Sequence, residues 1–285
     1  MSHFSNSQLT EYARCGKAYQ LRRKQQAPST YSWWLLGGSA VHSAIEEYNL
    51  SLAGFADNIS DFRMFWSKTF ARAYAEAIVD YPDVDEWRTA GRANSLQTYD
   101  WWHENGLDMV MSWVRFVEEN RWTPAVFNGE PAVEFDVTCK FGWGENQYQI
   151  KGFVDLVAEQ PDGTLVMVDF KTGSRAVSTF QQMGLYVCAM QRLGLPRPTL
   201  AGYFMNRKGT FGSFASLAQY TPEYFDDLFD SLGQGIEAGV FLPSLGDHCR
   251  ICDVADACFA NGGSRSALYD PHDPRFVDRN MATNP

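Results

Sequence analysis

A chain of 285 residues with 45% hydrophobic and 20% charged side chains has the apolar content for a full core, which excludes a disordered or low-complexity protein. No apolar run reaches the roughly 20 residues that a bilayer crossing needs, and the N-terminal MSHFSNSQLTEY lacks a signal-peptide core, so a cytoplasmic protein without membrane association is predicted. The net charge of −10 argues against indiscriminate nucleic-acid binding, but the charge is unevenly spread.

In chain order, Ser5-x-x-Gln8 is a capping box, and Leu9, Tyr12 and Tyr19 then predict a helix to about Arg23. This first stretch is basic, with Arg14, Lys17, Arg22, Arg23 and Lys24 against Glu11 alone. A second helix is predicted from about Ser39, with Val41, Ile45, Tyr48 and Leu52 at helical spacing. Residues 60–80 and 95–120 read as two more helices, rich in aromatic residues that core packing explains. After Pro124 the pattern changes to strands: AVEFDVTCKF, QYQIKGFVDLVAE and TLVMVDFK. A helix from about Ser178 to Arg192, a strand TLAGYFMN and a helix from about Pro222 to Ala238 follow. No internal repeat appears, and a loose tail closes the chain. The fold class is mixed α/β (α+β): a helical N-terminal part, then a central mixed sheet flanked by helices.

Two of these strands carry charge where a sheet needs Val, Leu and Phe. Pro161-Asp162-Gly163 signals a tight turn between them. With those three residues as the loop, Asp155 falls opposite Asp169, and Lys171 projects from the same face. Two carboxylates that close repel unless a cation lies between them, and a hard divalent ion such as Mg²⁺ or Mn²⁺ suits their oxygens. A neighbouring lysine can orient a water and offset charge developing on a phosphate. No acidic residue occurs between Asp169 and Glu223, whereas Lys171, Arg175, Arg192, Arg197, Arg207 and Lys208 do. Together with the basic N-terminal stretch, this favours a polyanionic substrate, with Arg175, Arg207 and Lys208 as candidate contacts to it.

Near the C-terminus, Cys249-x-x-Cys252-x5-Cys258 lies in a segment without helical or strand periodicity, and Cys15 offers a fourth thiolate. Such spacing points to metal rather than to disulfides, with iron–sulfur and zinc both open. Cys139 and Cys188 sit in predicted regular elements and read as buried apolar residues.

GFVD followed by VDFKTG resembles motifs II and III of the PD-(D/E)XK nuclease superfamily, in its RecB-like exonuclease branch. GGSAVHSAIEEY is similar to the branch's first motif, with His42 as a metal ligand and Glu46 one turn further on. QQMGLY matches its Q-x-x-x-Y motif through Gln182 and Tyr186. The order and spacing of the four cysteines resemble the CRISPR-associated, AddB and phage members, which implies a [4Fe–4S] cluster on Cys15, Cys249, Cys252 and Cys258. The resemblance implies one restriction-endonuclease-like domain over 1–265, with a helical insertion at about 55–122, a core at about 125–240, a cysteine clasp and a tail at 266–285. It further implies one or two Mg²⁺ or Mn²⁺ ions on His42, Asp155, Asp169 and the Phe170 carbonyl, and Lys171, Gln182 and Tyr186 acting on single-stranded DNA in a bacterium or phage-infected host. Two other readings stand beside this one. One is an assembly factor working with recombination or CRISPR-adaptation proteins, and the other is a redox or DNA-damage sensor.

Overall fold

Ser5 caps the first helix as its sequence predicts, its hydroxyl accepting from the Gln8 N–H at 3.3 Å. The computed structural model describes residues 3–92, 95–174 and 179–263. Arg175 and the tail at 266–285 therefore lie outside the described residues. The expected first helix is three pieces: α1 (Asn6–Arg14), α2 (Gly16–Tyr19) and a π-turn at Gln20–Lys24. Cys15 interrupts it in an extended conformation, φ −163°. Three longer helices follow, α3 (Trp33–Leu52), α4 (Phe62–Asp80) and α5 (Tyr99–Asn120). The second helix thus begins six residues before Ser39. Gly37 and Gly38 look like helix breakers, but Gly37 is where the Trp102 ring meets α3: a Cβ there would lie 2.0 Å from the ring. Gly106 on α5 receives Trp66 of α4 in the same way.

Apart from two two-stranded ladders of two-residue strands, the strands are β1 (His3–Ser5), β2 (Thr123–Pro124), β3 (Val133–Asp136), β4 (Cys139–Trp143), β5 (Asn146–Lys151), β6 (Phe153–Glu159), β7 (Leu165–Lys171), β8 (Leu200–Met205) and β9 (Thr210–Ser216). In the main sheet β9, β8, β7 and β6 are neighbours in that order, and β2 and β3 share the far edge of β6. Only β7 and β8 are parallel within it, joined by α6 (Gln181–Arg192) as a crossover. A smaller sheet places β5 between β1 and β4. QYQIKGFVDLVAE, which reads as one strand, is split at Gly152 between the two sheets. The Tyr186 ring lies against Gly152, where a Cβ would meet it at 2.8 Å.

The main sheet separates two apolar layers. Val166, Val168 and Phe170 of β7 face α3 and α5, among Trp66, Trp102 and Trp113. Met167 faces the other way, toward α6 and α7 (Pro222–Glu237), among Met183, Val187 and Phe229. The aromatic residues of the helical block are therefore chiefly core.

Candidate active site

The turn at 161–163 closes as its residues predict. Gln160 donates to the Thr164 carbonyl at 3.0 Å, Asp162 accepts from the Thr164 N–H at 2.9 Å, and Gly163 takes φ +84°. The ladder then pairs Leu156 with Val168, so the next step brings Asp155 level with Asp169. On the other flank of β6, Val154 pairs with Phe135 and Leu156 with Val133, which sets Glu134 level with Asp155. Glu134, Asp155 and Asp169 thus form a row of carboxylates across three adjacent strands. Alternation places the row on the α6 side of the sheet.

Glu134 is a site residue that sequence reasoning missed. It stands as a carboxylate between Val133 and Phe135, as Asp155 stands between Val154 and Leu156. Its backbone has φ +43°, an unfavourable conformation for a side chain of this kind. His42 reaches the row from α3, with Nδ1 3.5 Å from Asp155 Oδ2. The same oxygen accepts from the Phe170 N–H at 3.0 Å. Lys171 Nζ pairs with Asp169 and sits 5.4 Å from the centre of the Tyr203 ring.

The charges are balanced only in part. Burial, together with the Asp155 charge, pushes the Asp169 carboxyl up to about 7 against the opposing pull of Lys171. Glu134 is also pushed up to about 7, by burial first and then by Asp155, Glu46 and Asp169. Glu46 is raised by burial and by Glu47, while Arg72 opposes the shift. Burial lowers the His42 pKa, and Lys171 adds to this, while Asp155 and the Phe170 backbone oppose it. A neutral imidazole is the ligating form.

One nitrogen of His42 and one oxygen each of Glu134 and Asp155 lie within 4.8 Å of one another. Imidazole nitrogen with carboxylate oxygens suits a small divalent ion, and such an ion would offset the burial, and after it the repulsion, that raise Glu134 to about 7. The residues present therefore fit a metal. Of the expected ligands, the structure brings His42 and Asp155 into this group, while Asp169 stands beside it in contact with Lys171.

On α6, Gln182 Nε2 donates to Tyr186 Oη at 3.2 Å. Burial, ahead of the nearby carboxylates, pushes the Tyr186 phenol up to about 12, so it stays protonated as a neutral donor. Arg207 is engaged within the protein: its Nε donates to the Thr172 carbonyl at 2.6 Å, one terminal nitrogen donates to Gln97 Oε1 at 3.1 Å, and its guanidinium stacks 4.6 Å from Trp101. Lys208 is exposed.

Cys15, Cys249, Cys252 and Cys258 line one cavity, and all four are free thiols. The break in the first helix turns Cys15 toward it, and the Ser244 N–H points at Cys15 Sγ from 3.5 Å. Arg22 pairs with Asp253, Nε to Oδ2 at 2.9 Å, and Arg88 donates to the Ile251 and Cys252 carbonyls at 2.9 and 3.2 Å. Cys139 and Cys188 lie instead in or against the core on the α6 side, where burial raises both thiols to about 11.

The PD-(D/E)XK nuclease superfamily profile matches residues 3–259. Two curated proteins, each called Gene 69 protein, come from Mycobacterium phage D29 and Mycobacterium phage L5. They are 26% identical to this chain over 265 and 277 residues, covering 89% of it and 95% of themselves. The solved structure of SSO0001 aligns at a TM-score of 0.38 and 10% identity, covering 89% of this chain and 85% of its own, a likeness too low to carry an argument. No helix among the described residues is long and apolar enough to cross a membrane.

Proposed function

The chain belongs to the PD-(D/E)XK nuclease superfamily, and from that premise we propose that it is a metal-dependent exonuclease acting on single-stranded DNA, with a structural [4Fe–4S] cluster. The observation that carries the catalytic part is the carboxylate row, with His42 above it and Lys171 beside it. His42, Glu134 and Asp155 would hold Mg²⁺ or Mn²⁺, with Asp169 and the Phe170 carbonyl next to them. A bound ion of this kind lowers the pKa of water and offsets charge on phosphate oxygens.

The protein's own groups account for the rest of the reaction. Asp169 holds the Lys171 ammonium at the site, where it orients the attacking water and donates to a non-bridging phosphate oxygen. Gln182 and Tyr186, linked to each other, present amide and phenol donors to the same strand. Attack of water on phosphorus breaks the bond to the 3′ oxygen, which takes up a proton. The products are a 3′ hydroxyl and a 5′ phosphate. Residues 1–265 act in this reading as one nuclease domain, with the helical block as its insertion.

The four thiols share one cavity, which suits either group, and one feature favours the cluster over zinc: among the described residues no three of them fall within 4.8 Å of one another. A zinc tetrahedron with bonds of about 2.3 Å needs sulfurs roughly 3.8 Å apart. A second reading, a nuclease-fold factor working in a recombination or CRISPR-adaptation complex, is favoured by one observation: Leu242, Leu245, Ile251 and Phe259, on or beside the cysteine segment, are all exposed.

The test uses anaerobically purified protein and single-stranded DNA labelled separately at each end, with Mg²⁺, Mn²⁺ or EDTA. Metal-dependent release of short fragments from one end, lost in Lys171→Ala, is expected. Cleavage that persists in Lys171→Ala would remove this site from the reaction. Folded, iron-loaded protein that never cuts would favour the assembly factor.

A further inference from the structure

Beside the carboxylate row lies a groove of about 350 Å³ whose two walls come from helices far apart in the sequence. One wall is α1, which presents Ser7, Thr10 and Arg14, all exposed and at spacings of three and four residues that place them on one side of the helix. The other wall is Gln182 and Tyr186 of α6. Arg14 has no hydrogen-bond or ion-pair partner among the described residues. Glu11, on the same side of α1, is held by Arg22 and Arg23, which offset its charge toward the groove. The groove is thus lined by hydroxyls, an amide, a phenol and one uncommitted cation, a donor set suited to a phosphodiester backbone.

Next to the row on β6 stands an aromatic side chain that packing does not explain. Phe153 is 47% exposed and lies two residues before Asp155. Its neighbour Gly152 underlies the Tyr186 ring, and Lys151 is in register with Ser5, which also lines the groove. Phe153 therefore stands in the short stretch of chain that runs from the border of the groove to the Asp155 carboxylate.

We propose that this groove is the track of the nucleotides flanking the scissile phosphate: Arg14, with Ser7 and Thr10, binds a neighbouring phosphate, and Phe153 stacks an unpaired base. The proposal rests on the nuclease reading and sharpens it. A base in a duplex already has stacking partners, so an aromatic platform here selects for single strands. The track also gives the basic N-terminal stretch a role at the site, since Arg14 adjoins Cys15 and lines both the groove and the cysteine cavity.

Binding of a fluorescent twelve-nucleotide oligothymidylate, followed by anisotropy across a salt series, tests this. The protein is the full chain carrying Lys171→Ala, in Ca²⁺. Arg14→Gln should weaken binding several-fold and make the slope of log affinity on log salt shallower by about 0.7. Phe153→Leu should weaken it roughly 5- to 150-fold with the slope unchanged, and Phe153→Tyr should restore it. Both sites are exposed, and thermal melting checks that each variant stays folded. The groove proposal is overturned if neither variant differs from Lys68→Gln, a surface charge change on α4. It loses its stacking part if Phe153→Leu weakens a twelve-base-pair duplex equally. Cleavage by the unsubstituted chain is read separately. Metal-dependent cutting with unaffected binding in both variants sinks the groove alone, whereas impaired binding without cutting leaves the groove and sinks the nuclease reading.

Discussion

Asp169 and Phe170 are neighbours on β7, yet their side chains enter opposite surroundings. Phe170 packs edge-to-face on Trp113 at 4.8 Å, in a layer of interlocked aromatic rings. Asp169 enters a row where like charges face one another, with Lys171 as its ion-pair partner. The difference shows a division of labour within one strand. The apolar face fixes where β7 lies, through burial worth about 25 cal/mol per Å². The polar face then holds carboxylates in positions that their own repulsion would not choose. Stability and chemistry thus fall to different side chains of one strand, so damage to each should be separable.

The largest effect is expected on the apolar side. Trp113→Ala removes a buried ring and strands the Asn49 Oδ1 that accepts its indole N–H at 3.0 Å. The cost should be about 3–5 kcal/mol, seen as an earlier urea midpoint. If the fold survives, single-turnover cleavage below the midpoint should change little, and a variant that unfolds no earlier would contradict the division. Lys171→Ala is the converse: a loss of roughly 10²–10³-fold in cleavage with melting little changed. Asp169 can take up a proton in place of the lost ammonium, since its carboxyl already sits near 7.

Glu134→Gln should weaken Mn²⁺ binding by calorimetry more than loss of an outer partner would, which alone costs roughly 10–100-fold. Unchanged affinity would remove Glu134 from the donor set. pH then sharpens the contrast. Glu134 and Asp169 are raised from 4.5 and 3.8 to about 7. Their contribution to metal-free stability is full below about 4 and is lost as pH rises through 7. Added Mg²⁺ should therefore raise the melting temperature more at pH 8 than at pH 5.5, and equal shifts would mean that these carboxylates do not meet the ion. Smallest is Arg88→Ala, which removes two donors to the cysteine segment for about 1–3 kcal/mol. It should appear as faster proteolysis of residues 240–260, with the cleavage rate constant unchanged.

How much of this could be read in advance followed from how local the information was. The pairing of β6 with β7 lay within twenty residues and was governed by one turn, so the register of Asp155 on Asp169 was legible. Glu134 was not, because it joins the row through a pairing with β6 that no turn signals and with a backbone angle that pattern does not reveal. Breaks at Cys15 and Gly152 were hidden for the same reason, since each serves a distant group: a cavity shared with residues 249–258 and the Tyr186 ring. The start of α3 at Trp33 was obscured because Gly37 accommodates Trp102, not a turn. β9 had no clean alternation, and five of its seven residues are exposed. Gln182 and Tyr186, one helical turn apart, needed no such help.

The tie between Arg22 and Asp253 spans 231 positions of chain. Synthesis at about 5–20 residues per second separates the two by roughly 10–50 s. Throughout that interval the N-terminal helix lacks the cysteine segment that packs against it, and Cys15 is available to any passing oxidant or metal. The contact between Arg22 and Asp253 thus forms only after most of the chain between them has been made, and the cell's handling of a waiting thiol becomes part of how this protein matures.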